Sequence, residues 1–232
     1  MDASLPNKLA LFDFDGTLVD FDTVNPFIRF VLKKHPELDV DPDLALPHKQ
    51  YRLKLLKGLT EFELSQLAEQ YYKKEIKPNL IPQTINELKR LRDKGYKICV
   101  VSGSYDAYLQ YFCNEYRIDN LVCTSILYRD GICQGAFDGL DCLGSNKLVL
   151  LRNVYGVDSF LEIQSVAYSD SSSDLPLFHS CRESFAVVPE CCKTPVWIED
   201  SQIGLIKYQL KWTKRARRKL GYWVRRLSGV SN

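Results

Sequence analysis

Leu9-Ala10-Leu11-Phe12-Asp13-Phe14-Asp15-Gly16-Thr17 carries the chain from a short unbroken apolar run straight into two carboxylates and a glycine. An apolar run without polar alternation fits a parallel strand covered on both faces. In open α/β sheets ligands bind beyond the carboxyl ends of the strands, so an acidic strand end is a candidate site. The same pattern returns twice downstream. Lys97 to Val101 reads as a strand ending in Ser102, Gly103 and Ser104, and Val166 to Tyr168 ends a strand at Ser169 and Asp170, with Asp174 close behind. Phe185 to Val188 supplies one more strand.

Working outward, Pro82 suits the first turn of a helix, Ile85, Leu88 and Leu91 follow at helical spacing, and Gly95 is placed to end it. Tyr105 to Arg117 reads as a helix, Leu121 to Tyr128 as a strand turning at Asp130 and Gly131 into a hairpin arm, and the residues from Lys147 to Tyr155 as another helix. Strands alternating with helices predict an α/β, Rossmann-like fold: a mainly parallel open sheet with helices on both faces. From about Asp20 to Asn79 the apolar spacing turns helical, through Phe27, Phe30 and Val31 and then Leu53, Leu56 and Leu59, broken by prolines at 26, 36, 42 and 47. That segment predicts a small helical cap inserted after the first strand. The expected division is a core of 1–19 and 80–206, a cap of 20–79, and a basic aromatic tail of 207–232.

At 232 residues, 45% hydrophobic and 26% charged, the chain reads as globular, which excludes a disordered or fibrous protein. Met1 to Pro6 shows no basic signal region, and no stretch approaches the roughly 18 apolar residues of a membrane span. The 8 cysteines include no Cys-x-x-Cys pair and only 3 histidines accompany them, so reduced, mostly buried thiols in a cytoplasmic protein are expected. Charge is uneven: nine Lys or Arg and no acids lie between Lys207 and Arg226, leaving 22 basic against 29 acidic groups in the rest. Trp212, Leu220, Tyr222, Trp223, Val224 and Leu227 interleave with that basic run. The tail reads either as a docked helix with a wet basic face or as an interfacial helix in peripheral contact with anionic lipid at the inner membrane face. No base-reading motif accompanies the charge, so nucleic acid is not an expected partner.

Phosphoryl transfer requires a nucleophile, a metal to neutralise oxygens, hydrogen-bond donors around them and a proton source for the leaving group. Three strand ends plus one lysine supply all of these. Taken singly each signal has a plainer reading. Asp-x-Asp-Gly suits a calcium loop, Asp15 before Gly16 a turn, Ser102-Gly103 an ordinary strand exit, Lys147 a solvated helix start, and Asp174 an N-cap. Arg52, Lys54 and Lys57 read either as a solvated helix face or as contacts for an anionic substrate.

In order along the chain, Asp13-Phe14-Asp15-Gly16-Thr17 resembles the first motif of the haloacid dehalogenase superfamily and Ser102 in Val100-Val101-Ser102-Gly103-Ser104 the second. Lys147 in Gly144-Ser145-Asn146-Lys147 resembles the third, and Asp170-Ser171-Ser172-Ser173-Asp174-Leu175-Pro176 the fourth. The resemblance implies that Asp13 is the nucleophile and that Mg²⁺ is bound by Asp13, the backbone carbonyl of Asp15, and Asp170. Asp174 joins that metal group by orienting a metal water or Lys147. It also implies Asp15 as general acid and then base, Ser102 and Gly103 as phosphate donors, and Lys147 as the charge bridging Asp13 and phosphate. Ser169 stands where the family often has Gly, and Ser173 where Asn is frequent, which predicts altered surrounding hydrogen bonds with the chemistry retained.

The insertion, Arg129-Asp130-Gly131-Ile132-Cys133 and the run from Asp141 to Lys147 resemble subfamily IB, the branch of phosphoserine phosphatase and phosphatidylglycerophosphatase C. Phosphoserine phosphatase recognises its substrate's amino group with a glutamate where this chain has Asp22. The segment from Asp22 through Phe27 and Arg29-Phe30 is more similar to phosphatidylglycerophosphatase C. The resemblance implies a Mg²⁺-dependent phosphomonoesterase that takes a small phosphorylated metabolite through an aspartyl-phosphate, with Asp22 as a substrate contact, and the charge of Arg52 makes it a second candidate contact. The alternatives are a lipid-headgroup phosphatase at the membrane surface, a phosphotransferase or mutase that excludes water, and, furthest away, a non-catalytic binding module.

Overall fold

A computed structural model describes residues 5–38, 49–199 and 202–210. Its seven strands are β1 (Lys8–Phe12), β2 (Lys97–Tyr105), β3 (Asn120–Arg129), β4 (Ile132–Asp138), β5 (Gln164–Ser169), β6 (Glu183–Pro189) and β7 (Gly204–Tyr208). They form one sheet in the order β4-β3-β2-β1-β5-β6-β7, parallel throughout except for the β3–β4 hairpin. This is the expected Rossmann-like α/β sheet.

Between β1 and β2 come α1 (Val24–Leu32), α2 (Lys49–Arg52), α3 (Glu61–Tyr71) and α4 (Pro82–Asp93). Then α5 (Asp106–Tyr116) follows β2, α6 (Asn146–Tyr155) follows β4, α7 (Leu175–His179) follows β5, and α8 (Val196–Glu199) follows β6. Alternation along the strands sorts the core into two layers, as the period of two requires. Leu9, Leu11, Cys99, Val101 and Ala167 pack with Leu151 and Tyr155 of α6 and Leu177 and Phe178 of α7. Ala10, Phe12, Val100, Val166 and Tyr168 belong to the opposite layer, with Leu88 and Leu91 of α4 and Leu109 and Phe112 of α5. With both faces covered, Leu9 to Phe12 are wholly buried, which is why β1 reads as an unbroken apolar run.

The structure departs from the sequence reading at two strands. β2 does not stop at Val101: its pairing with β3 slips between Ser102 and Tyr105 and resumes at Tyr105 opposite Thr124. Such a bulge re-aims side chains, and both Ser102 and Ser104 end up buried at the sheet's carboxyl edge. The edge strand β7 has no counterpart in the sequence pattern, and it takes in Lys207 and Tyr208, the first residues of the basic segment. The aromatic residues from Trp212 to Leu227 lie outside the described residues. No helix among the described residues is long and apolar enough to cross a membrane. No disulfide joins the eight cysteines, and Cys99, Cys133, Cys142 and Cys181 are buried.

The β3–β4 hairpin also holds the segment that precedes α3. Cys133 N–H donates to the Leu59 carbonyl at 2.9 Å, Gly58 N–H to Cys133 at 3.0 Å, and Glu61 N–H to Gly131 at 2.7 Å. A Thr60–Glu63 capping box then starts α3. Gly135, at φ +70°, lies so close to this segment that an added Cβ would sit 2.9 Å from Lys54 Cα and 3.1 Å from the Leu53 carbonyl oxygen. Gly139, at φ +86°, would meet nothing within 4 Å. Both alanine variants incur left-handed strain, but only Gly135→Ala also forces two backbones apart. Gly135→Ala is expected to be the more destabilising by about 1–3 kcal/mol, measured by urea unfolding. Equal losses would show that the hairpin contact yields easily.

Candidate active site

A cleft of about 190 Å³ opens at the carboxyl ends of β1 and β2, beside the loop that leaves β5. β1 is the strand about which the chain order reverses, the place where open α/β sheets bind ligands. The loop after β1 contributes Asp13 and Asp15, and the bulge of β2 contributes Ser102 and Gly103. The first turn of α6 brings Lys147, the loop after β5 brings Asp174, the segment before α1 brings Asp22, and α2 brings Arg52.

Asp13 is fixed from behind, because its backbone N–H donates to the Tyr168 carbonyl of β5 at 2.9 Å. Lys147, only 2% exposed, donates from Nζ to Asp13 Oδ1 at 2.8 Å and to Asp174 Oδ2 at 2.6 Å. Burial opposes the ammonium charge, but the two carboxylates outweigh it and hold the lysine's pKa above its ordinary value. Lys147 is therefore no solvated helix-start lysine. Ser169 Oγ also donates to Asp174 Oδ2, at 2.6 Å, so the serine found where the family often has glycine braces the carboxylate that holds Lys147. Asp174 Oδ1 is buried without a hydrogen-bond partner among the described residues.

Asp170 is 2% exposed and lies against the β1 loop. An added Cβ on Gly16, at φ +75°, would fall 2.1 Å from Asp170 Oδ2, so the missing side chain is what admits this carboxylate beside the Asp13 loop. Two aspartates and a backbone carbonyl form an all-oxygen donor set, which suits Mg²⁺ held through one or two carboxylates with waters and substrate oxygens. No group of three or more His, Cys, Asp or Glu gathers as a ligand cluster among the described residues. A site of two carboxylates and a carbonyl falls below that count, and the residues present fit the ion.

Asp15 is bound at both carboxylate oxygens. Thr23 Oγ1 donates to Oδ1 at 2.7 Å, while Thr23 N–H at 3.0 Å and Ser104 Oγ at 2.9 Å donate to Oδ2. Burial, with the Asp22 carboxylate nearby, pushes its pKa up to about 8 against the lowering effect of the Thr23 bonds. Ser102 Oγ accepts the backbone N–H of Ser104 at 3.1 Å and keeps its own proton to donate. Asp22 Oδ1 accepts the N–H of Val24, the first residue of α1, at 3.0 Å, so this residue braces the start of the helix while lining the cleft. Among Arg52, Lys54 and Lys57, Arg52 lines the cleft, whereas Lys54 and Lys57 are exposed and Lys54 Nζ stands 4.7 Å from the centre of the Tyr51 ring. Thr23, Ser104 and Tyr108 were not anticipated. Ser104 and Thr23 adjoin residues singled out in the sequence, but nothing local marks Tyr108.

Residues 10–179 match the haloacid dehalogenase-like hydrolase family over the stretch that carries every one of these strand ends. The chain belongs to that family. Protein CicA of Caulobacter vibrioides is 30% identical to it over 184 residues, 72% of this chain and 79% of CicA. The phosphoserine phosphatase of Methanocaldococcus jannaschii is 23% identical over 214 residues, 88% of this chain and 94% of that enzyme. A crystal structure of a protein of unknown function from Bordetella pertussis Tohama I shares the fold, with a TM-score of 0.70 at 21% identity, covering 86% of this chain and 98% of that one. This member of the haloacid dehalogenase-like hydrolases is an enzyme with phosphatases among its relatives.

Proposed function

We propose that the chain is a Mg²⁺-dependent phosphatase of the phosphoserine phosphatase branch, hydrolysing small phosphate monoesters through an aspartyl-phosphate at Asp13. The observation that carries this reading is the buried Lys147, shared between Asp13 and Asp174 at the floor of the cleft. It fixes a carboxylate beside a positive charge where a phosphoryl group would arrive. Asp13 attacks phosphorus, and the bond to the leaving oxygen breaks as that oxygen takes the proton of Asp15. Asp15, now a carboxylate, takes a proton from water, whose oxygen attacks the acyl phosphate, releasing inorganic phosphate and restoring Asp13. Ser102 Oγ, Gly103 N–H and Lys147 Nζ donate to the phosphoryl oxygens. Mg²⁺ would be held by Asp13, Asp170 and the Asp15 carbonyl, and its charge would offset the repulsion between carboxylate and phosphate. Asp174 acts through Lys147, its Oδ2 being committed to that ammonium and to Ser169.

The substrate is a phosphorylated small metabolite. A cleft of about 190 Å³ suits a phosphoryl group with a short alcohol and falls below the range of drug-sized ligand pockets. The described residues inserted between β1 and β2 up to Asn79 serve as a cap over the core sheet, which runs on through β7 to Tyr208, with Asp22 and Arg52 reading the alcohol's charged groups.

Phosphate release from a panel of O-phosphoserine, glycerol 3-phosphate, histidinol phosphate and p-nitrophenyl phosphate tests the reading. Turnover is expected with Mg²⁺ and is lost on chelation. In Gly16→Ala, whose Cβ would displace the Asp170 carboxylate, it falls about 100-fold or more. Undiminished turnover in chelator, or in Gly16→Ala, would remove Asp170 and the metal from the mechanism.

A further inference from the structure

Asp15 ends a hydrogen-bonded cluster of hydroxyls drawn from three separate parts of the chain: two of them bond its carboxylate and the third bonds one of those two. Thr23 comes from the segment before α1, Ser104 from the bulge of β2, and Tyr108 from the first turn of α5. All three are essentially inaccessible, at 0%, 1% and 0% exposure. Burying a hydroxyl is costly unless it is hydrogen-bonded, so three together in the core need a reason. Their contacts converge. Thr23 Oγ1 has one proton, which goes to Asp15 Oδ1 at 2.7 Å, and it accepts from Tyr108 OH at 2.8 Å with Ser104 Oγ 2.9 Å away. Ser104 Oγ donates to the other oxygen, Asp15 Oδ2. Behind them Tyr71 OH donates to the Thr23 carbonyl at 2.8 Å, and its ring meets those of Phe27 and Tyr108 edge-on or tilted at 5.3 and 5.5 Å, so the Thr23 backbone is pinned as well.

We propose that Thr23, Ser104 and Tyr108 form a hydroxyl clamp that fixes the rotamer of the Asp15 carboxyl and aims it at the leaving oxygen. They are positioning residues: Thr23 and Ser104 hold both carboxylate oxygens, and Tyr108 holds Thr23. This rests on the reading of Asp15 as the proton donor. A clamp that sets only the donor's aim matters in proportion to the leaving group's need for a proton. An alkoxide needs it and a nitrophenolate does not, whereas loss of core packing would harm both esters alike.

The test compares kcat/KM for the alkyl ester turned over fastest in the panel above with that for p-nitrophenyl phosphate. Thr23→Val is expected to lower the alkyl value about 100-fold and the aryl value only about threefold, since a missing proton donor penalises poor leaving groups selectively. Tyr108→Phe, which keeps the ring and its packing, gives a smaller loss in the same sense, and Thr23→Ser restores the alkyl activity. Equal losses on both esters, or no loss on either, overturns the clamp. Asp15→Asn separates the two levels. If it fails to discriminate between the esters, the assignment of Asp15 as acid is wrong. If it discriminates while Thr23→Val and Tyr108→Phe do not, only the clamp is wrong.

Discussion

Asp13→Asn is expected to reduce phosphate release to background, a loss on the order of 10⁴-fold or more, because the amide offers no nucleophilic oxygen for phosphoryl transfer. The fold should survive the change. Lys147 Nζ keeps Asp174 Oδ2 at 2.6 Å, so the ammonium remains paired, and Asn is close in volume to the Asp it replaces. Circular dichroism and the melting temperature separate the two effects: a folded, inactive Asn variant supports nucleophilic catalysis. Residual turnover within about tenfold of wild type would demote Asp13 to a metal or orienting role.

Lys147→Met is expected to damage stability as well as activity. Methionine fills similar space, but Asp13 Oδ1 and Asp174 Oδ2 then face each other in a buried site with the ammonium that joined them at 2.8 and 2.6 Å removed. Removing one partner of a buried ion pair costs about 3–5 kcal/mol, because the remaining charge is left uncompensated. Urea unfolding measures that loss. Adding Asp174→Asn should return part of the stability, since one orphaned carboxylate disappears, while leaving turnover lost because no ammonium bridges Asp13 and the phosphoryl oxygens. Such non-additivity is the signature of residues acting in one network. A Lys147→Met protein as stable as wild type would show that water reaches and screens this triad.

The candidate site was legible because each of its strand-end residues follows or closes an apolar strand: Asp13 after β1, Ser102 in β2, Asp170 after β5. Sequence adjacency and spatial convergence coincide there, since neighbouring parallel strands end at the same edge. The remaining features depend on contacts between distant segments. The bulge at Ser102 to Tyr105 is produced by the register with β3, where Tyr105 pairs with Thr124. Gly16 could be read as part of an acidic loop, but the steric demand behind it comes from Asp170. β7 is not legible in the sequence because Gly204-Leu205-Ile206-Lys207-Tyr208 is a short edge strand whose lysine merges with the basic run that follows. Among Arg52, Lys54 and Lys57, which side chain reaches the cleft is decided by the way the segment packs on β4 near Gly135. The Thr23–Ser104–Tyr108 cluster had no local signal at Tyr108, one aromatic residue on a helix that also carries Tyr111, Phe112 and Tyr116.

The most direct measurement of the central claim is acid quenching during turnover of the best panel substrate, followed by intact-mass and peptide analysis of the protein. A single phosphoryl group on the peptide containing Asp13, present in wild type and absent in Asp13→Asn, is the predicted result. Full-rate turnover with no phosphoryl group on the protein, or one carried by a residue other than Asp13, would contradict it.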